Sequence, residues 1–252
     1  MPLSGLKFDR ALAPGVNPRR PQDFVRSLRE LGIALAFLTI AGPLQSQQPV
    51  RHTATPASVI AFTLDFPESN PSHYSIAVDS AGHATYECQV RIEDNPEAQS
   101  YKTEFEMSAG DRDRIFDWAK QAHYFSGKID SGKNVAFTGS KTLSYQDGKL
   151  SNTARYNYST VVPVQRLTAL LQNVAGTLEY GRRLAYYYQF QKLALDDELK
   201  RMQTQARNSE LSEIQSVAPV LREIVEDTSV INMVRSRARE LLLMGDTEAA
   251  KR

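Results

Sequence analysis

One cysteine, Cys88, in 252 residues leaves no partner for an internal disulfide and excludes a metal site built on paired thiolates. Charge of one sign is also lacking. Thirty Lys and Arg stand against 29 Asp and Glu, a formal net charge of +1, so the chain has no electrostatic reason to seek DNA or RNA. Among recognisable motifs there is no His-Glu-x-x-His, no Gly-x-Ser-x-Gly, no dinucleotide glycine pattern and no calcium loop. Gly139-Ser140-Lys141-Thr142 ends like a phosphate-binding loop, but Ser140 interrupts the required Gly-Lys pair and the stretch reads as strand. No cofactor, no metal and no catalytic residue is therefore assigned. Aromatic anchors are scarce in one respect, since Trp118 is the single tryptophan.

What is present begins with an export signal. Residues 31–44, LGIALAFLTIAGPL, form an uncharged run of 14 residues, too short to cross a bilayer comfortably as a helix. Arg26 and Arg29 precede it and Gln45, Ser46, Gln47 and Gln48 follow, the layout of a signal peptide cut after Ser46 or Gln47. The first 47 residues hold six Lys or Arg against three Asp or Glu, leaving 24 basic and 26 acidic residues in the remainder. Residues 1–47 are read as a signal peptide with a long basic region, and the true start is placed near Val25. The expected address is periplasmic or extracellular, with anchoring in the inner membrane by an uncut signal as the alternative. Residues 48–57, rich in Thr, Ala and Pro, are an extended linker.

Residues 58–180 read as an α+β domain. Strand-like alternation runs through 58–66, 73–79, 83–94 and 99–107, with Tyr74, Ile76 and Val78 matching Ala84, Tyr86, Cys88 and Val90 on one face. That register buries Cys88 and sets His73 opposite Gln89. Residues 108–125 then form the central helix, with Ser108 as N-cap and Ile115, Trp118, Ala119 and Ala122 on its apolar face. Asp147-Gly148 between 137–146 and 149–158 predicts a tight hairpin with both turn residues at positive φ. Strands, helix, strands is the order of an antiparallel sheet covered by a helix.

Residues 181–252 read as an all-α extension. A helix starts at Pro163, and Gly176 and Gly181 predict a break or kink near Tyr180-Gly181, with helix resuming from Leu184 to Ala206. Ser209 is expected to cap a further helix, and a last one ends at Gly245, the pair forming a helical hairpin.

Pro71, Tyr74, Ile76, Val78, Gly82 and Tyr86, then Ala122 to Phe125, then Leu143 and Gly148, resemble an uncharacterised domain family, a domain of unknown function, of secreted bacterial proteins. The resemblance spans about residues 58–174. Where that family carries two cysteines around a Gly-Thr pair, this chain has Ser69, Asn70, Pro71 and Ser72. The resemblance implies the sheet-and-helix fold and no activity.

The densest recognition chemistry is Tyr180, Arg182, Arg183, Tyr186, Tyr187 and Tyr188, six aromatic or cationic residues of the kind favoured in binding patches. They make this chain an expected binding module of the cell envelope, adaptor or inhibitor-like, with an envelope protein or a glycan as partner. The alternatives are an enzyme with a dispersed site, to which Asp111 and Asp130 would contribute, and a structural envelope protein. The export reading is checked by N-terminal sequencing of native protein from an envelope fraction. We expect a start at Gln47 or Gln48, whereas retention of residues 31–44 would mean anchoring.

Overall fold

The computed structural model describes residues 57–92 and 95–251. The signal peptide and all of the linker but Ala57 lie outside the described residues. In chain order the elements are β1 (Val59–Asp65), β2 (His73–Asp79), β3 (His83–Ile92), β4 (Asn95–Glu106), α1 (Ala109–Gln121), β5 (Ser140–Gln146), β6 (Ser151–Tyr156), α2 (Val162–Phe190), α3 (Leu195–Arg207), α4 (Ala218–Glu226) and α5 (Asn232–Lys251). The strands form one antiparallel sheet in the order β4-β3-β2-β1-β5-β6, and the C-terminal part is helical. The fold is α+β with an all-α C-terminal extension.

Alternation decides which face of this sheet is covered. Ile60, Phe62, Ile76, Val78, Tyr86 and Leu143 are all at most 1% exposed. Each such side chain contributes roughly 1.5–3 kcal/mol on burial, so the inner face must find a covering layer. The other face keeps short or charged side chains: Thr63 stands between Ser75 and Thr142, and Glu87 pairs with Lys102 across β3 and β4. His73 does lie opposite Gln89, and Cys88 is buried.

Helix α1 starts where expected, with the Ser108 hydroxyl accepting from the Asp111 amide at 3.3 Å. Trp118 is only half-buried, and Ile115, Ala119 and Phe125 take the anchoring role, each at most 2% exposed. Phe125 reaches the core because His123, Tyr124 and Phe125 all adopt left-handed backbone, φ 52°, 52° and 63°, turning the chain sharply after the helix. The β5–β6 connection is looser than the predicted two-residue turn. Gly148 alone takes positive φ, and Asp147 instead accepts the amides of Lys149 and Leu150 through Oδ1, closing a four-residue loop.

The largest departure is α2, which runs unbroken for 29 residues through both glycines. They are contact points. A Cβ on Gly181 would fall 2.4 Å from Val217 Cγ1, and one on Gly176 3.3 Å from Leu211 Cδ2. The segment after α3 crosses the helix at these notches, so close packing offsets a propensity cost of about 1 kcal/mol per glycine. Ser209 has φ 59° and caps nothing; a 3-10 turn at Ile214–Val217 leads into α4 at Ala218. Helix α5 passes Gly245, which lies against Ile214 and Gln215, and ends at Lys251. Residues of sheet and extension share one apolar core.

Gly181→Ala is expected to lower stability by about 1–3 kcal/mol through overpacking. Thermal melts read the loss, and Val217→Ala, which removes the nearest methyl, should recover part of it. An unchanged melting temperature would show that the notch is not tight.

Candidate functional site

The recognition patch predicted on 180–188 divides into three settings, because α2 turns its residues in different directions. Tyr180 is buried, Arg182 and Arg183 are half-buried, and these three face the sheet or α3. Tyr186 is 49% exposed, with its ring 5.8 Å from that of Tyr187 and 5.2 Å from that of Phe190. Leu193, just beyond, is 96% exposed, so this end of α2 presents an aromatic and aliphatic tip. Tyr188 belongs to a third setting. Lys192 Nζ lies 5.1 Å from its ring centre and 2.6 Å from Asp227.

The inward part is organised by a carboxylate that belongs to no sequence motif. Glu179, 6% exposed, accepts from Tyr86 Oη at 2.8 Å and Cys88 Sγ at 3.2 Å on the sheet, and from Arg182 Nε and Nη2 at 3.1 and 2.8 Å. Burial alone would raise its pKa; the Arg182 guanidinium and the two donors from the sheet outweigh that and hold the carboxyl below its ordinary range. The same burial, with Glu179 alongside, pushes the Cys88 thiol up to about 12. A thiol so placed is inert as a nucleophile. Arg183 lies between two carboxylates, with Nε 2.5 Å from Glu198 on α3 and Nη1 3.9 Å from Glu179, and its guanidinium is 4.6 Å from the centre of the Tyr180 ring.

Beside this cluster opens a cleft of about 320 Å³. Its walls are the 66–72 loop, the inner ends of β1 to β3, one stripe of α2 and Gln205 of α3. The α2 stripe follows helical spacing through Gln172, Ala175, Gly176, Glu179 and Arg183. Gln172 and the Tyr74 side chain both line the cleft. In the loop Ser69 Oγ lies 2.8 Å from the carbonyl oxygen of Phe66 and 2.7 Å from that of Pro71, with its one proton to give to either, and the Asn70–Pro71 bond is cis. A signal for this site did exist in the sequence: Glu179 is a lone acid within an otherwise uncharged run from Leu167 to Gly181, on the inward stripe.

Two other places gather ionisable groups. A hollow of about 620 Å³ on the open face of the sheet is lined by Asp79, His83, Glu104 and Glu106. Asp79 Oδ1 is committed to the amides of residues 81–83, and His83 pairs with Glu106 at 2.7 Å in full solvent. Among the described residues no three metal-ligating side chains converge. The second place joins α1 to the extension. Glu213, fully buried and at φ 62°, accepts from the Ser108 amide at 3.1 Å and hydroxyl at 2.6 Å, from Gln215, and is hydrogen-bonded to the buried Asp111. Arg114 reaches Asp111 at 3.1 Å. Asp130, by contrast, accepts from the Gly132 amide within its own loop at 3.2 Å.

Compared with known proteins, the chain matches no family model and no curated protein. Among the described residues no helix is long and apolar enough to cross a membrane.

Burial, reinforced by the Asp111 carboxyl and opposed by the Ser108 donors, raises Glu213 from 4.5 to about 7. An acid that holds its proton more tightly when folded favours folding while protonated. Between pH 4.5 and 7 the unfolded chain releases that proton first, so this group's contribution falls as pH rises and is lost above about 7. Denaturant titrations across that window should show the decline, and Glu213→Gln, which keeps a donor towards Asp111, should flatten it. A profile identical in the variant would remove Glu213 as the cause.

Proposed function

We propose that this chain is an exported, non-enzymatic binding module of the cell envelope, adaptor or inhibitor-like, and that the cleft beside Glu179 is its recognition site. The observation that carries this reading is the state of the cleft's charged groups. Glu179 is held ionised by Arg182, and Arg183 is committed to Glu198, so each meets a fixed partner inside the protein. Catalysis by proton transfer wants an acid or base poised near neutral pH, whereas a carboxylate held below its ordinary range serves as a fixed acceptor. Around it are polar side chains on an apolar floor, the make-up of a small binding site. The exposed tip at Tyr186, Phe190 and Leu193 supplies a second contact surface beside the same helix. Export rests on the basic, apolar and polar order of the first 48 residues.

The test is retention of envelope components on immobilised residues 48–252, compared with Gln205→Trp, which places a large ring at the half-buried mouth of the cleft. Truncation at Val174 is no substitute, because it would sever α2 and uncover the sheet. We expect at least one component, of any chemical class, to be retained by the native segment and lost with Gln205→Trp at unchanged melting temperature. Equal retention by both, or none above an unfolded-protein control, would overturn the reading.

A further inference from the structure

We infer that the cleft beside Glu179 takes a neutral, hydroxyl-rich ligand, a short uncharged saccharide; this assignment rests on the binding-module reading and names its ligand class. Three features of the cleft carry it.

Charge comes first. The ionised groups of the lining are Glu179 and Arg183, of opposite sign and 3.9 Å apart, and each has a closer partner within the protein, Arg182 for Glu179 and Glu198 for Arg183. An anionic ligand entering here would meet the Glu179 carboxylate, and a cationic one would meet Arg183, with no unshared counter-charge for either. Ligand charge is therefore a cost in this site.

Hydrogen-bonding capacity comes second. Asn70, Gln172 and Gln205 bring three carboxamides to the cleft, each with donor and acceptor atoms, together with the Tyr74 hydroxyl. A sugar hydroxyl, which donates and accepts through one atom, answers that mixture. An apolar occupant of the same size would strand these groups away from water, at about 1–3 kcal/mol for each one left unmet. Half-buried Phe66 and Pro71 add small apolar surfaces against which the C–H face of a pyranose ring can lie.

Position in the fold comes third, and it separates a saccharide from a peptide. An extended peptide satisfies its backbone by joining a sheet edge. The cleft lies over β1, β2 and β3, which are flanked on both sides, while the edges β4 and β6 do not line it. A peptide bound here would leave its backbone groups to side chains alone. At about 320 Å³ the space is at the small end of ligand sites, which suits the terminal residues of a short chain better than a long one.

The experiment is a glycan array carrying neutral, acidic and amino-sugar oligosaccharides, read with residues 48–252, followed by calorimetry with the best neutral hit. Expected are binding to neutral members, insensitivity to salt between low and high ionic strength, and about tenfold weaker binding for Gln172→Ala, the size of one lost hydrogen bond. Gln205→Trp should abolish the signal, and melting curves of both variants establish that they are folded. Preference for charged glycans with strong salt dependence, or binding that neither folded variant alters, would overturn the assignment. No glycan binding, alongside Gln205-dependent retention of a peptide or protein from the envelope extract, would overturn the ligand class and leave the binding module standing. No binding in either experiment would remove both.

Discussion

Burying Glu179 against the sheet constrains more of this molecule than any other single contact. An isolated carboxylate moved out of water costs several kcal/mol, and that cost is offset only where donors are held in place on more than one side. Here they come from two directions, Tyr86 and Cys88 from β3 and Arg182 from the next turn of α2. A shift of α2 by one turn, about 5.4 Å along its axis, would break all of the contacts to the sheet. The apolar residues of α2 make it adhere to the sheet; Glu179 fixes where along the sheet it sits.

With α2 fixed, the packing of the extension follows. Gly176 and Gly181 lower the helix surface where Leu211 and Val217 cross it, and Thr177 Oγ1 between them donates to the Ser212 carbonyl at 2.7 Å. That crossing delivers Glu213 to the N-terminus of α1, where the Ser108 amide and hydroxyl donate to it. Sheet, central helix and extension are thus joined through polar contacts buried within one apolar core. Removing the extension would leave α2 and the Ser108 end of α1 partly uncovered.

The cleft is a by-product of the same geometry. Ala175 puts only a methyl group on the stripe of α2 that lines the cleft, while Gln172 and Arg183 line it on either side along the helix. Space lined by polar groups therefore opens beside the buried carboxylate. Tyr186 and Phe190 lie further along the helix and stay exposed among the described residues, while Tyr187 and Tyr188 pack against the core. One helix hence serves as cover, as wall of a cleft and as a bearer of exposed aromatic groups.

The α+β class, the His73–Gln89 register, the burial of Cys88 and the Ser108 cap were legible in the sequence, because each is set by residues within a few positions or by strict alternation across a short turn. Trp118 was overrated for a local reason as well: size and spacing point to a core anchor, but α1 sits with Ile115 and Ala119 innermost. Gly181 read as a break because intrinsic propensity is all that a local window contains, and the contact that explains it comes from Val217. The candidate site was legible only in fragments. Arginines and tyrosines stood out by density, yet which of them face inward depends on the placement of α2. Tyr86 meets Glu179 across 93 residues and Ser108 meets Glu213 across 105. The sequence by itself determined the elements and their buried faces, since periodicity is a local property of a chain with one wet side and one dry side. Only the tertiary structure decided the joined charges, the glycine notches and the cleft, because each depends on side chains that share no local pattern and meet only after the layers have packed.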